Sequence, residues 1–302
     1  MGTTESIPVS QQHQINFNMK YNWVTSYPTH EYELIHPENI SKIIHNIDTS
    51  EKSYVDLRVN CPPILNIYDI PVHPIATVCS MINYQLNRNK LPTFPPSRLF
   101  IFQNCNYFPN VRSVISYEMI FKAIEQYGVC SEIDFEFNQD NLSVEPTQRN
   151  YSVAECFKFI QVYRIKNDLE FMKLLIKNDM PLMIGMVLYT DLIKIVDKLW
   201  MPDFSIDKRI GGTSGLIVGY SDDRSCFFVK FAYGKDFGSS GYILVPYEYV
   251  QNIDLVPEIY YLDLKKNRIE GFLNQRRETV SLESKMKEND KTYNNSLESF
   301  FS

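Results

Sequence analysis

Hydrophobic positions in the first half of the chain recur at helical spacing. Val78, Ile82 and Leu86 lie four residues apart and predict a helix that begins near His73. Pro74 suits the first turn of that helix, where its missing N–H costs no hydrogen bond. A proline-punctuated loop leads into the helix, and the orphan N–H groups at a helix start stabilise negative charge. The residue at this point is therefore the first candidate for chemistry.

Two further segments of the first half follow a helical pattern. Residues 116–130 place apolar side chains on one face, and Gly128 supplies a natural end to that helix. Residues 151–180 indicate a strand or a short helix followed by an amphipathic helix. The first half of the chain is therefore expected to be mainly helical.

The second half changes to short apolar runs of strand length. These runs are rich in β-branched and aromatic residues, and Gly, Asp and Ser separate them. They comprise residues 181–189, 214–222, 226–234, 241–250 and 257–264. The runs predict a mostly antiparallel sheet or barrel. Helices that precede strands in this way indicate an α+β fold with two lobes that meet at a cleft.

Both ends of the chain are polar. Residues 1–51 are predicted to be an N-terminal extension, and residues 265–302 a polar tail of mixed charge. Phe300 and Phe301 are candidate partner-binding residues within that tail. The alternative is a solvated tail that carries two incidental aromatic residues.

The first residues contain a candidate lipidation motif. Gly2 followed by Ser6 matches the pattern for N-myristoylation. The alternative interpretations are that the match occurs by chance or that the Met-Gly start was introduced by cloning. A single acyl chain binds a membrane only marginally. Membrane contact is therefore expected only if Gly2 is acylated.

The charge and the hydropathy narrow the class of protein. The net charge is −6 and the pI about 5.5, which argue against a nucleic-acid partner. No apolar run approaches the ~20 residues that span a bilayer. The N-terminus lacks the apolar core of a signal peptide. We therefore expect an intracellular, cytoplasmic protein.

The cysteines do not suggest a metal site. They stand at positions 61, 79, 105, 130, 156 and 226 without a CxxC pair. In an intracellular chain such residues are expected to be reduced and buried. No metal and no cofactor is predicted. The abundance of Tyr and Phe and the scarcity of Gly indicate an AT-rich genome.

Six short motifs occur in order within residues 52–264. They are Asp56-Leu57-Arg58 with Pro62-Pro63, Pro96 to Phe100, Tyr127 to Cys130, Gly211-Gly212 with Leu216 to Tyr220, Val229-Lys230 with Gly234, Phe237-Gly238 and Gly241-Tyr242, and Pro246 to Val250. Together they resemble the papain-like (C1-type) cysteine peptidase family, in particular its branch in bacteria and large DNA viruses. The resemblance implies a two-lobed papain-like fold, with a helical lobe over about 52–180, an antiparallel β-barrel-like lobe over about 181–264, and a cleft between them.

Four side chains carry the chemistry of that family. A cysteine thiolate at a helix start attacks the carbonyl, and a histidine on the opposite lobe exchanges the proton. An asparagine orients the histidine, and a glutamine donates to the oxyanion. In this sequence the four matching positions, taken in the same order, carry His73, Thr213, Phe231 and Ile67. The resemblance therefore implies a degenerate site without a catalytic residue.

Positions around these four also depart from the family pattern. Tyr68 and Pro71 stand in place of two loop glycines, and Tyr233 and Phe237 in place of two tryptophans. Aromatic side chains at cleft positions indicate a site that has been repacked.

A shifted alignment would make Cys79 the nucleophile. Such a thiol needs a histidine on the second lobe. All five histidines lie at or before residue 73, at positions 13, 30, 36, 45 and 73. A papain-type pair in the family's order is therefore excluded.

Three hypotheses about function follow. The first is a non-catalytic papain-like protein that binds other proteins or serves in assembly. The second refines it to a minor structural protein of a large DNA virus particle, with capsid or membrane-associated proteins as partners. The third is a hydrolase with a rebuilt site, in which His73 acts as a base toward Thr213 or Ser214. Asp69 is close in sequence to His73 but is better explained as a capping or turn residue.

Overall fold

The computed structural model describes residues 22–26, 32–68, 70–105, 114–158, 160–190 and 199–265. Four residues with predicted roles lie outside this part of the chain: Gly2, Asp69, Phe300 and Phe301.

Six α-helices are present in the described residues. They are α1 (His73–Arg88), α2 (Arg98–Cys105), α3 (Tyr117–Tyr127), α4 (Gln148–Ala154), α5 (Leu169–Lys177) and α6 (Tyr247–Gln251). Helix α1 begins at His73 with Pro74 in its first turn, as the spacing predicts. Every residue from His73 to Ile82 is buried, so α1 is a central helix covered on all sides.

The ends of the other helices follow local sequence signals. The Ser116 side chain accepts a hydrogen bond from the Met119 N–H and caps the start of α3. Gly128, with a φ of 76°, terminates that helix as predicted. Asp168 caps α5 in the same way as Ser116, because its carboxylate accepts the Phe171 N–H at 2.9 Å.

Within the part of the chain that the structure describes, eight strands form one sheet. They are β1 (Leu34–Ile35), β2 (Tyr54–Asp56), β3 (Ile160–Ile165), β4 (Leu182–Tyr189), β5 (Arg209–Ser221), β6 (Cys226–Lys230), β7 (Tyr242–Pro246) and β8 (Glu258–Leu264). Their order is β1-β3-β8-β4-β5-β6-β7, and β2 pairs with β5. All pairs are antiparallel except β1 with β3, which confirms the predicted mostly antiparallel sheet.

The sheet takes strands from both halves of the chain. Strands β1, β2 and β3 come from the segments before residue 181. One predicted strand run was too long, since its end, Tyr247–Gln251, is helical. Pro246 stands at this boundary with φ −57° and ψ 147°, and proline suits a helix entry because it has no N–H to donate to a sheet.

A buried lysine connects the lead-in loop, the central helix and the sheet. The Lys230 ammonium on β6 donates to the Pro63 carbonyl and to the Ser80 hydroxyl of α1, each at 3.2 Å. Burial lowers the pKa of Lys230 to about 8. The two lobes are thereby joined beside the cleft.

Several described residues of the predicted N-terminal extension are packed into the fold. Leu34 and Ile35 pair with β3, and the Ile35 side chain is fully buried. Asn22 and Trp23 are also buried. These residues therefore belong to the folded core of the protein.

Within the described ranges, no helix combines the length and the apolar character that crossing a membrane requires.

The five cysteines whose side chains are described are free, and four of them are buried: Cys79, Cys105, Cys130 and Cys226.

A candidate cleft between helix α1 and strand β5

His73 lies at the start of α1 and faces strand β5. Its side chain is 1% exposed, and Nε2 lies 3.2 Å from the Gly212 carbonyl oxygen. Because a carbonyl only accepts, Nε2 carries the proton and Nδ1 is left unprotonated. Nδ1 is buried and has no hydrogen-bond partner among the described residues. Burial lowers the pKa of His73 to about 3, so the imidazole is neutral at pH 7.

The hydroxyls of Thr213 and Ser214 are both buried and both engaged. Thr213 Oγ1 lies 2.5 Å from the Tyr233 hydroxyl. Ser214 Oγ lies 2.9 Å from Thr77 Oγ1, which itself donates to the His73 carbonyl at 3.1 Å. Neither hydroxyl is hydrogen-bonded to the His73 imidazole within the described structure. The arrangement thus lacks the contact through which a base activates a nucleophile.

Aromatic side chains fill the space beside these hydroxyls. Phe231 is 1% exposed and stacks on Tyr233, with ring centroids 6.0 Å apart. Phe237 meets both rings edge-on, at 5.6 Å from Phe231 and 4.8 Å from Tyr233. Tyr233 also lies 6.2 Å from the His73 ring. The cleft wall is therefore an apolar cluster at positions where the family resemblance implies an asparagine and tryptophans.

The loop before α1 keeps a backbone shape that favours glycine. Tyr68 has a φ of 51°, which a glycine adopts without strain and a tyrosine rarely adopts. Tyr68 is one of the two residues that the sequence places at a loop-glycine position. The neighbouring Ile67 is fully buried, and its N–H donates to the Ala232 carbonyl at 3.1 Å. An isoleucine side chain offers no donor to an oxyanion.

Residues 22–26, here called the cleft segment, lie between the two lobes. On the β side, the Trp23 N–H donates to the Gly212 carbonyl at 3.3 Å. On the helical side, the Ile115 N–H donates to the Asn22 carbonyl at 3.0 Å, and the Val24 N–H donates to the Ile115 carbonyl at 3.2 Å. The cleft segment thus bridges the lobes through backbone hydrogen bonds, in the manner of an added strand.

Two glycines make room for the Trp23 side chain. A Cβ at Gly185 would lie 2.0 Å from the Trp23 ring, and a Cβ at Gly212 would lie 2.4 Å from the Trp23 carbonyl oxygen. Only glycine therefore fits at these two points of strands β4 and β5. Trp23 is 4% exposed, so it forms part of the cleft interior.

A buried carboxyl holds the other end of the cleft segment. The Ser26 N–H donates to Glu258 Oε2 at 3.1 Å, and the Tyr260 hydroxyl donates to the same oxygen at 3.3 Å. The Glu118 N–H donates to the Ser26 hydroxyl at 3.3 Å, which links the cleft segment to α3. Burial raises the pKa of Glu258 to about 7, against the opposing effect of its hydrogen-bond donors.

Cys79 is not placed for chemistry. It lies inside α1 with 1% exposure, and burial raises the pKa of its thiol well above the ordinary range. The described residues contain no group of three or more His, Cys, Asp or Glu side chains that could hold a metal ion.

Sequence reasoning identified His73, Thr213, Ile67 and Phe231, and the structure brings all four to the same cleft. It missed the cleft segment and Glu258. Gly185 could have indicated the cleft segment, because a glycine inside an apolar strand often marks the close approach of another group.

The helical elements, the antiparallel sheet and the cleft between them form a papain-like fold, which solved structures share. The solved structure of xylellain, a cysteine protease from Xylella fastidiosa, superposes with a TM-score of 0.71 at 22% identity. That similarity covers 81% of this chain and 96% of xylellain. Procathepsin L2 from the larval midgut of Tenebrio molitor superposes with a TM-score of 0.65 at 14% identity, over 83% of this chain and 81% of that chain.

A sequence relative agrees with the fold. The uncharacterized peptidase C1-like protein L477 of Acanthamoeba polyphaga mimivirus is 29% identical over 192 residues. The match covers 59% of this chain and 61% of that protein, which is less than two thirds of its length. No family model matches the chain. The relative and the structural similarities confirm the resemblance to papain-like proteins of the C1 type.

Proposed function

We propose that the chain is a non-catalytic papain-like protein that acts by binding other proteins, as a structural or assembly component. One observation carries the proposal. The Gly212 carbonyl accepts hydrogen bonds from both His73 and Trp23. The position of the family's nucleophile is thus held by an imidazole tied to the backbone, and the adjacent cleft holds a segment of the same chain.

The chemistry of the four positions supports the same conclusion. The His73 imidazole is buried and neutral, so it is a weak base at pH 7. Thr213 cannot exchange a proton as histidine does, and its hydroxyl is engaged by Tyr233. Ile67 and Phe231 have no polar side-chain atoms with which to stabilise an oxyanion or orient an imidazole.

The filled cleft favours partner contacts on other surfaces. Segments of the chain outside the cleft, including the tail that carries Phe300 and Phe301, are where we place those contacts. The mimivirus relative and the AT-rich composition support a more specific proposal. It is a minor structural role in the particle of a large DNA virus, with capsid or membrane-associated proteins as partners and Gly2 as the acylation site.

The alternative is a hydrolase in which His73 serves Thr213 or Ser214. It requires a hydroxyl that is engaged elsewhere, Thr213 by Tyr233 or Ser214 by Thr77, to reach the His73 imidazole instead. Either move breaks a hydrogen bond of a buried hydroxyl, which is unfavourable unless a new partner replaces it. The geometry therefore favours the non-catalytic proposal.

A turnover assay with matched variants tests the proposal. The purified chain is incubated with a library of unstructured peptides and, separately, with a cysteine-directed active-site probe. We expect neither cleavage nor labelling at neutral pH. Cleavage that His73→Ala or Thr213→Val abolishes, and that the exposed-site control Arg149→Gln retains, would establish the hydrolase instead.

A pull-down from the native host tests the binding role. The full chain and a chain without residues 265–302 are compared for the partners they recover. Loss of partners with the tail removed places the contacts on the tail. Recovery of the same partners without the tail would place the binding surface on the papain-like domain.

A further inference from the structure

The β lobe carries a second concave surface that shares no lining residue with the cleft. This pocket, here called the arginine–aromatic pocket, has a volume of about 370 Å³. Small-molecule sites typically occupy about 300–1,000 Å³. Its lining includes two guanidinium groups, three aromatic rings and serine hydroxyls, among them Arg58, Arg224, Tyr54, Phe228, Tyr242 and Ser239.

Four neighbouring strands form the frame of the pocket. Tyr54 of β2 is paired with Ser221 of β5, and Phe228 of β6 is paired with Leu244 of β7. All four residues line the pocket. Side chains that stand on paired strands hold their relative positions, so the pocket is largely preformed.

Arg58 is fixed in the pocket by a neighbouring carboxylate. Its Nε donates to Asp56 Oδ1 at 2.9 Å, and its Nη2 donates to Asp56 Oδ2 at 2.6 Å. The guanidinium carbon lies 5.1 Å from the Phe228 ring centroid and 5.6 Å from that of Tyr242. These contacts orient the group, and the bonds to Asp56 do not use Nη1.

Arg224 supplies a second guanidinium group to the pocket. It lies in the turn between β5 and β6, is exposed, and forms no ion pair within the described ranges. The nearby Asp222 is engaged by Lys173 at 2.8 Å and does not line the pocket. Because Asp56 pairs with Arg58, the positive charge of the pocket that has no ion-pair partner among the described residues comes from Arg224.

Tyr54 offers a ring at the rim of the pocket. It is 54% exposed, and it contacts the buried Phe228 ring edge-on at 5.6 Å. One face of a half-exposed ring is available to a planar ligand, and ring stacking favours such a ligand. Cations and an exposed ring in one pocket are complementary to an anion that carries a planar group.

We propose that the arginine–aromatic pocket binds a small phosphate ester with a planar ring, such as a nucleoside monophosphate or an aryl phosphate. The phosphate is held by Arg58 and Arg224, whose guanidinium groups match its oxygen atoms. The ring of the ligand stacks on Tyr54. The pocket is independent of the cleft and of the proposed non-catalytic role.

Isothermal titration calorimetry with four probes tests the proposal on the full chain. The probes are adenosine monophosphate, phenyl phosphate, adenosine and inorganic phosphate. We expect at least one of the two esters to bind saturably, and adenosine and inorganic phosphate each to bind at least roughly tenfold more weakly than that ester. A preference between the two esters distinguishes a nucleotide site from an aryl phosphate site. If inorganic phosphate alone or adenosine alone bound as tightly as the tighter ester, the proposal would be overturned.

Single substitutions assign the binding to this pocket. Arg224→Gln and Tyr54→Leu change exposed side chains, and each should raise the Kd of the ester by roughly tenfold. Arg149→Gln on α4 is the matched control, because Arg149 is also exposed and lies on the helical side. An unchanged Kd in Arg224→Gln, or no saturable binding of either ester to the unmodified chain, would refute the site.

Discussion

Trp23 and His73 donate to the same backbone oxygen, that of Gly212, at 3.3 Å and 3.2 Å. One residue comes from the segment before the domain, and the other begins its central helix. Their shared acceptor joins the cleft segment to the position at which the family resemblance implies the nucleophile. Under the proposed non-catalytic function, this contact both stabilises the fold and keeps a substrate away from this point.

The packing of Trp23 against Gly185 predicts a specific coupling. Gly185→Ala places a methyl group into the Trp23 ring, so it should destabilise the protein by about 1–3 kcal/mol. In a Trp23→Ala background the same substitution should cost much less, because the clashing ring is absent. Urea unfolding of the two single variants and the double variant measures this coupling. Equal costs of Gly185→Ala in both backgrounds would contradict the packing.

Glu258 should make the protein less stable as the pH rises toward neutrality. Its pKa is raised from 4.5 to about 7, so the folded state holds the proton more tightly than the unfolded state. The resulting stabilisation is complete below about pH 4.5 and is lost as the pH rises through 7, by about 3 kcal/mol at most. Glu258→Gln removes this dependence. Urea unfolding at pH 5 and pH 7.5 measures the free energy of unfolding of the parent and of Glu258→Gln. The difference between the two proteins should change between these pH values. A constant difference would contradict the raised pKa of Glu258.

His73 should act in the opposite direction. Its pKa is lowered from 6.5 to about 3, so the folded state favours the neutral imidazole. The resulting stabilisation is present above about pH 6.5 and decreases as the pH falls toward 3, by roughly 1.4 kcal/mol per pH unit. His73→Gln keeps a donor for Gly212 and does not titrate.

The comparison of His73→Gln with the parent protein isolates this effect from that of Glu258. The free energy of unfolding is measured at pH 7 and pH 4.5 for both. The parent should lose more stability, relative to the variant, at the lower pH. If the difference in unfolding free energy between parent and variant were the same at both pH values, His73 would be accessible to protons in the folded state.

Phe231 should behave as a core residue. Replacing this 1%-exposed ring by asparagine, the family's residue, removes the contacts with Tyr233 and Phe237 and buries an unpaired amide. Phe231→Asn should therefore cost about 3–5 kcal/mol without creating turnover. The control Phe204→Asn changes a ring that is 51% exposed and should cost less than about 1 kcal/mol. Thermal and urea unfolding measure the loss of stability, and the peptide cleavage assay measures whether turnover appears.

The local part of the architecture was predictable because its causes are local. The spacing of Val78, Ile82 and Leu86 and the proline at 74 are enough to begin α1 at His73, and Gly128 is enough to end α3. The motifs shared with the papain-like family add the order of the elements. Helix α6 was missed, because strand and helix patterns are similar in a short apolar run such as Tyr247–Gln251.

The sequence by itself determined which residues occupy the cleft positions and that no histidine follows residue 73. Only the tertiary structure decided what those residues do. It turns His73 toward Gly212, pairs Thr213 with Tyr233, and brings Trp23 from outside the predicted domain into the cleft. The reason is physical. These hydrogen bonds and buried contacts join residues far apart in sequence, so they depend on how the two lobes pack against each other. A local sequence pattern does not specify that packing.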